Sequence, residues 1–253
     1  MPRLNKYIAS SGLCSRRKAD ELILDGKVKV NDKVIDELGF HVREKDKVFV
    51  NNKLIKPQKL EYYKFFKPAG FITTAEDEKN RKTIYDIIPE ELKHLKPVGR
   101  LDKDSTGLII MTNDGDFINE LTHPSLKIPK IYIVHINGKF TQEHAKKMLD
   151  GIEILTDTNE KKLAFAETRP IEISTKESIV QVVLYQGINR QIRRMFAELG
   201  FEVKNLKRIQ HATISLEGLK RGQIKVLKPK QIKELKNYIA KIKRENAKDS
   251  NNR

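Results

Sequence analysis

The chain has no tryptophan, a single cysteine (Cys14) and only six scattered histidines in 253 residues. One thiol cannot close an internal disulfide, and no cysteine-rich zinc site can be assembled from it. The histidines show no HxxxH pair, so no structural metal is expected. Long apolar runs are also missing. Leu108–Met111 and Val182–Leu184 are among the longest. They fall far short of the roughly 20 residues that span a bilayer, so no membrane association by a spanning helix is expected. The N-terminal stretch MPRLNKYIASSGLCSRRKAD has no apolar leader core, which leads to the expectation of a cytoplasmic protein. There is no P-loop or dinucleotide-binding glycine pattern and no internal repeat.

Acidic residues are the other shortage. Asp and Glu number 34 against 50 Lys and Arg, a net charge of +16. An excess of this size points to a polyanionic partner. RNA, DNA and an anionic membrane surface all fit that charge, and the plain alternative is solubility. The length allows one large domain or two smaller ones.

The pattern divides the chain into residues 1–60, 61–235 and a basic tail over 236–253. In the first segment Leu4, Tyr7 and Ile8 mark a short helix. Ser15 then caps a second helix with Ala19, Leu22 and Ile23 on its apolar face, ended by Gly26. Val28–Val30 alternates as a strand before an Asn31-Asp32 turn, and Val48–Ile55 reads as a hairpin around Asn51-Asn52. Arg16, Arg17 and Lys18 occupy the first turn of the second helix, where the macrodipole favours acids. Three cations there suit an anion to hold, or else a solvated face.

The second segment alternates strands (Tyr62–Phe66, Gly107–Thr112, Ile131–Ile136, Ile179–Leu184) with helices near 116–122, 142–149 and 190–199. Asn189 is read as the cap of the last helix, whose Ile192, Met195 and Phe196 point inward. The predicted class is α+β: a small N-terminal α/β module, then a larger domain on a mixed, mainly antiparallel sheet with flanking helices. The tail, rich in lysine, is read as part helix and part disorder.

Chemistry concentrates in two places. The first is the charged loop Gly99-Arg100-Leu101-Asp102-Lys103-Asp104-Ser105-Thr106-Gly107, which feeds an apolar strand. Arg100 and Lys103 flank Asp102 and favour its ionised form, which can act as nucleophile or base. Read alone, such an aspartate more often satisfies backbone N–H groups or an ion pair. The second is Gly187-Ile188-Asn189-Arg190-Gln191-Ile192-Arg193-Arg194-Met195, with three arginines at a helix start.

These motifs carry a resemblance. RLNKYIASSGLCSRRKADELI with GKVKVN looks like an S4 RNA-binding module. GRLDKDSTGLIIMTNDG followed by GINRQIRRM, together with FKPAG and KIY, resembles the S4-containing rRNA pseudouridine synthases of the RsuA/RluB/RluE/RluF type, most like the large-subunit RluF-type enzymes. The resemblance implies isomerisation of an rRNA uridine by a monomer that needs no cofactor. It implies that Asp102 is the catalytic aspartate, that Tyr132 stacks on the uracil, and that Arg193 ion-pairs with Asp102. Arg100 would fill the space left by a flipped base, with Ile192 and Leu206 as apolar wall. Arg16, Arg17, Lys18, Arg190 and Arg194 would contact RNA. Small-subunit rRNA is the alternative substrate, and a non-catalytic ribosome-assembly protein the alternative class.

Overall fold

The computed structural model describes residues 1–74 and 77–251. It divides into two compact units, 1–61 with 113–115, and 62–112 with 116 onward.

The first unit opens with α1 (Leu4–Ser10) and α2 (Arg16–Leu24). The Ser15 side chain accepts from the Lys18 N–H and so satisfies one of the orphan donors at the start of α2. Strands β1 (Val28–Val30), β2 (Lys33–Ile35), β3 (Val48–Val50) and β4 (Lys53–Ile55) form an antiparallel sheet in the order β2-β1-β3-β4. Asn51 and Asn52 both take positive φ (48° and 61°), the geometry that a two-residue hairpin turn requires. Leu4, Ile8, Ala19, Ile23, Val28, Val30, Val48 and Val50 bury together, which gives this unit a core of its own.

The second unit contains β5 (Tyr62–Lys67), β6 (Lys96–Pro97), β7 (Thr106–Thr112), all but the first residue of α3 (Gly115–Thr122), β8 (Lys130–Asn137) and α4 (Gln142–Asp150). It continues with β9 (Ile152–Leu155), β10 (Lys161–Ala164), β11 (Glu167–Ile173), β12 (Glu177–Leu184) and α5 (Gln191–Glu198). It closes with β13 (Val203–His211), β14 (Ile214–Ser215), β15 (Ile224–Val226) and α6 (Pro229–Asn251). The main sheet runs β11-β12-β8-β13-β7-β5-β15 and is mixed. Its neighbours pair antiparallel among the described residues, except that β13 and β7 run parallel. The class is therefore α+β.

Both faces of this sheet are covered, and period-2 alternation sorts the side chains between them. On β7, Ile109 and Met111 join one core with Tyr132, Val134, Val182, Met195 and Phe196. Leu108 and Ile110 join the other with Phe66, Phe117, Leu121, Leu235 and Ile239. All seven residues of β7 are buried, as expected of a strand sandwiched between helical layers.

Two readings need correction. The sequence pattern assigns no strand to β9–β11 or to β13. β11 is an edge strand with a bulge at Pro170, and charged residues interrupt β13, so neither shows clean alternation. α6 runs from Pro229 to Asn251, with Leu235 and Ile239 buried. Gln231 accepts from the Lys228 N–H at its start. Asn189 does not cap α5; that place is held by Arg190 in left-handed conformation (φ 49°), with no side-chain cap.

The parallel junction depends on Gly107. Its φ is +114°, and an added Cβ would lie 2.2 Å from the Arg208 carbonyl oxygen and 2.6 Å from its nitrogen. Backbone cannot yield as a side-chain tip can. Gly107→Ala should therefore destabilise the chain by about 3 kcal/mol or more. Urea unfolding checks this, and an unchanged midpoint would show that the junction is looser than described.

Candidate active site

The loop 99–105 has little regular structure, yet it is firmly held. The Lys67 side chain is fully buried at the end of β5. Its ammonium donates to the carbonyl oxygens of Ser105 (2.7 Å), Asp102 (2.9 Å), Pro68 (3.1 Å) and Lys103 (3.4 Å). The Thr73 hydroxyl donates to the Leu101 carbonyl and accepts from the Leu101 N–H. Gly70 N–H donates to the Lys103 carbonyl at 2.7 Å. With its carbonyls drawn toward Lys67, the loop leaves the Asp102 side chain at the surface of a cleft, one-third exposed.

That cleft has a volume of about 710 Å³, within the range of small-molecule sites. Tyr132 lines it from β8, two residues from Lys130 on the same face. Strand register brings Tyr132 level with Val182 on one side and Arg208 on the other, and Lys130 level with Leu184. Leu184, Ile192 and Leu206 supply an apolar lining. Asp102, Tyr132, Arg100, Arg190, Ile192 and Leu206 thus meet in one cleft. Asp102 and Tyr132 are separated by 30 residues of chain; only the fold brings them together.

The sequence matches the RNA pseudouridylate synthase family over residues 61–198 and the S4 domain over residues 2–48. The chain belongs to the pseudouridine synthases. It is 41% identical over 238 residues to the ribosomal large subunit pseudouridine synthase B of Bacillus subtilis, covering 93% of this chain and 96% of that one. It is 39% identical to the dual-specificity RNA pseudouridine synthase RluF of Escherichia coli, covering 87% and 73%. Among solved structures, a pseudouridylate synthase crystal structure superposes with a TM-score of 0.66 at 26% identity, over 93% of this chain and all of that one.

The arginines of this pseudouridine synthase are arranged differently from the sequence expectation. Arg193 pairs not with Asp102 but with Asp104, Nη2 to Oδ2 at 3.0 Å, while Nη1 donates to the Val203 carbonyl. Arg190 is the arginine nearest Asp102 (3.8 Å), and it also reaches Asp104 (3.5 Å). The two aspartates lie two residues apart in one loop, so sequence alone could not tell which one takes Arg193. Arg194, expected at RNA, is turned to its own unit. It donates to the carbonyls of Leu155 and Asn189 and pairs with Asp157. In the first unit Arg16 and Arg17 are exposed with no ion pair among the described residues, whereas Lys18 is held by Glu21.

Four groups near the cleft went unassigned in the sequence: Lys67, Asp104, Lys130 and Arg208. Lys67 and Lys130 sat in plain view in FKPAG and KIY, but nothing there signals burial. Arg208 is buried and its Nε donates to the Leu108 carbonyl. Burial, with Arg208 nearby, pushes Lys130 down to about 8. His211, wholly buried, is held neutral by the same two causes and by Lys130.

Burial likewise pushes Lys67 down to about 8, against the pull of Asp102 and Asp104. Between pH 8 and its ordinary 10.5 the unfolded chain holds a proton that the native chain has released. Native stability should therefore rise with pH across that window. In Lys67→Met that contribution is gone. Relative to this variant, the wild type should gain up to about 3 kcal/mol between pH 8 and 10.5 in urea unfolding. Parallel pH profiles would mean that the ammonium is not desolvated.

Proposed function

We propose that this synthase isomerises a uridine of large-subunit ribosomal RNA in the cytoplasm, with Asp102 as the catalytic group. The observation that carries the reading is the meeting of a carboxylate and a buried tyrosine in one nucleotide-sized cleft. The ribosomal large subunit named for the Bacillus subtilis relative supports the substrate.

The reaction is an isomerisation with no redox change. The Asp102 carboxylate attacks the uridine or takes a sugar proton, and the C1′–N1 bond breaks. The uracil turns, C1′ bonds to C5, the C5 proton leaves, and N1 ends protonated. Atoms balance without a co-reactant. The target base must first leave its stack, which costs a few kcal/mol, and contacts to phosphates offset this. Tyr132, with Leu184, Ile192 and Leu206, offers a flat apolar face for the extruded uracil. Arg100, exposed at the cleft, takes the space the base vacates. Arg190 holds the two loop aspartates, and Arg193 fixes Asp104.

Asp102→Asn keeps shape and removes charge. Release of tritium from rRNA labelled at uridine C5 should fall at least about a thousandfold, with RNA affinity little changed. Release at the wild-type rate would remove Asp102 from the reaction. A wild type that releases none would leave a binding protein instead.

Arg16 and Arg17 are proposed to contact phosphates. Deleting residues 1–58 should leave the second unit folded on its own two cores. RNA binding should weaken and its salt dependence become shallower, by roughly 0.7–0.9 in log–log slope per lost phosphate contact. Single-turnover rate should recover as RNA concentration rises. Equal affinity and slope in the truncated chain would show that the S4 domain does not dock this RNA.

A further inference from the structure

The C-terminal helix is the largest element that the proposed chemistry does not use. Residues 228–253 hold nine Lys and Arg against three Asp and Glu. On α6, Leu235 and Ile239 are buried, with Ile232, Tyr238 and Ile242 packed beside them. On the opposite side lie Lys230, Lys233, Asn237, Lys241, Arg244 and Lys248, all exposed. Their spacings of three and four residues place them on one line along the helix. At about 1.5 Å per residue the line is about 27 Å long.

The cations of α6 that lie off this line have work within the protein. Lys236 sits over the Tyr62 ring at 5.2 Å, and Lys243 pairs with Glu120. On the line itself only Lys241 has an acidic partner among the described residues, Glu245 at 3.8 Å. Lys230, Lys233, Arg244 and Lys248 have none. Other surface lysines, Lys93, Lys147, Lys161 and Lys162 among them, are each paired with a nearby glutamate. Like charges three and four residues apart repel and weaken a helix. A row of them on a helix already anchored by its other face is a surface complementary to a linear polyanion.

We infer that the outer face of α6 is a second RNA-docking surface, with Lys230, Lys233, Arg244 and Lys248 contacting backbone phosphates along the substrate. A line of about 27 Å is long for a single small anion and matches a stretch of nucleic-acid backbone. The inference rests on the rRNA reading above for the identity of the RNA, but not for the contact itself.

The test uses the full chain with Lys230, Lys233, Arg244 and Lys248 all changed to Gln, which keeps helix propensity and removes four charges. The control changes Lys93, Lys147, Lys161 and Lys162 to Gln, the same loss of net charge. The probes are a transcript of a large-subunit rRNA domain and vesicles of anionic phospholipid. Circular dichroism should show both variants folded. The α6 variant should bind the transcript roughly tenfold or more weakly, with a log–log salt slope reduced by about 3, and the control should move little. Its single-turnover rate at saturating RNA should match the wild type. Equal losses in both variants would reduce the effect to net charge and overturn the proposal. So would an unchanged slope, or a loss confined to vesicles. If the wild type releases no tritium, the catalytic reading fails while the binding comparison still decides this one.

Discussion

The cleft depends on one buried ammonium. Lys67 gathers four carbonyl oxygens from its own turn and from the loop that carries Asp102. A loop rich in charge would otherwise sample many shapes. Here its backbone acceptors converge on a single cation, and its side chains are left to face outward. Burying that cation is expensive, as its downward shift to about 8 records. The four carbonyls, and the charges of Asp102 and Asp104, offset the cost. A hydrophobic replacement would fill the space but orphan the carbonyls, and orphaned buried acceptors cost more than a lost hydrogen bond gains.

The sheet sets the other walls. Because β7 is covered on both faces, it cannot shift register without moving apolar side chains from one core to the other. Its close approach to β13 at Gly107 fixes Arg208 beside the loop, and β13 in turn fixes β8. Tyr132 and Lys130 follow from that register, since residues two apart share a face. The placement of Tyr132 is thus inherited from backbone pairing.

What the sequence made legible was local or strongly patterned. Ser15 before α2, the Asn51-Asn52 turn and the inward face of α5 are each decided by a few neighbouring residues, and the structure has them as read. The membership of Asp102 and Tyr132 in one cleft was legible only through the family resemblance. What was not legible depends on distant partners. Arg193 and Arg194 are adjacent in sequence, yet one reaches Asp104 and the other Asp157. Arg190 takes a left-handed backbone that no propensity assigns to arginine, at a cost on the order of 1–3 kcal/mol, and from there reaches both loop aspartates. The strand β13 reads as a mixed polar run because its buried members include an arginine and a histidine. The last ten or so residues read as disorder because polar residues dominate there and no large apolar side chain marks a buried face.

The net charge of +16 is a poor guide to where RNA binds, because the cations do different work. Lys67 and Arg208 are buried and serve the backbone of the loop and of β7. Arg193 and Arg194 are held by carboxylates of their own unit, and many surface lysines are matched by a glutamate within a helical turn or across a hairpin. A cation already paired gains little by exchanging one anion for another at the surface, where each pair is worth about 1 kcal/mol or less. Exposed cations without an ion pair among the described residues are the ones free to meet phosphates, and Arg16, Arg17, Arg100, Lys230, Lys233, Arg244 and Lys248 are among them. The chemistry proposed above asks the site for little more than an aspartate and a stacking surface. Most of the difficulty is extracting one uridine from folded RNA, and that is a matter of holding the backbone at several points while a single base is withdrawn.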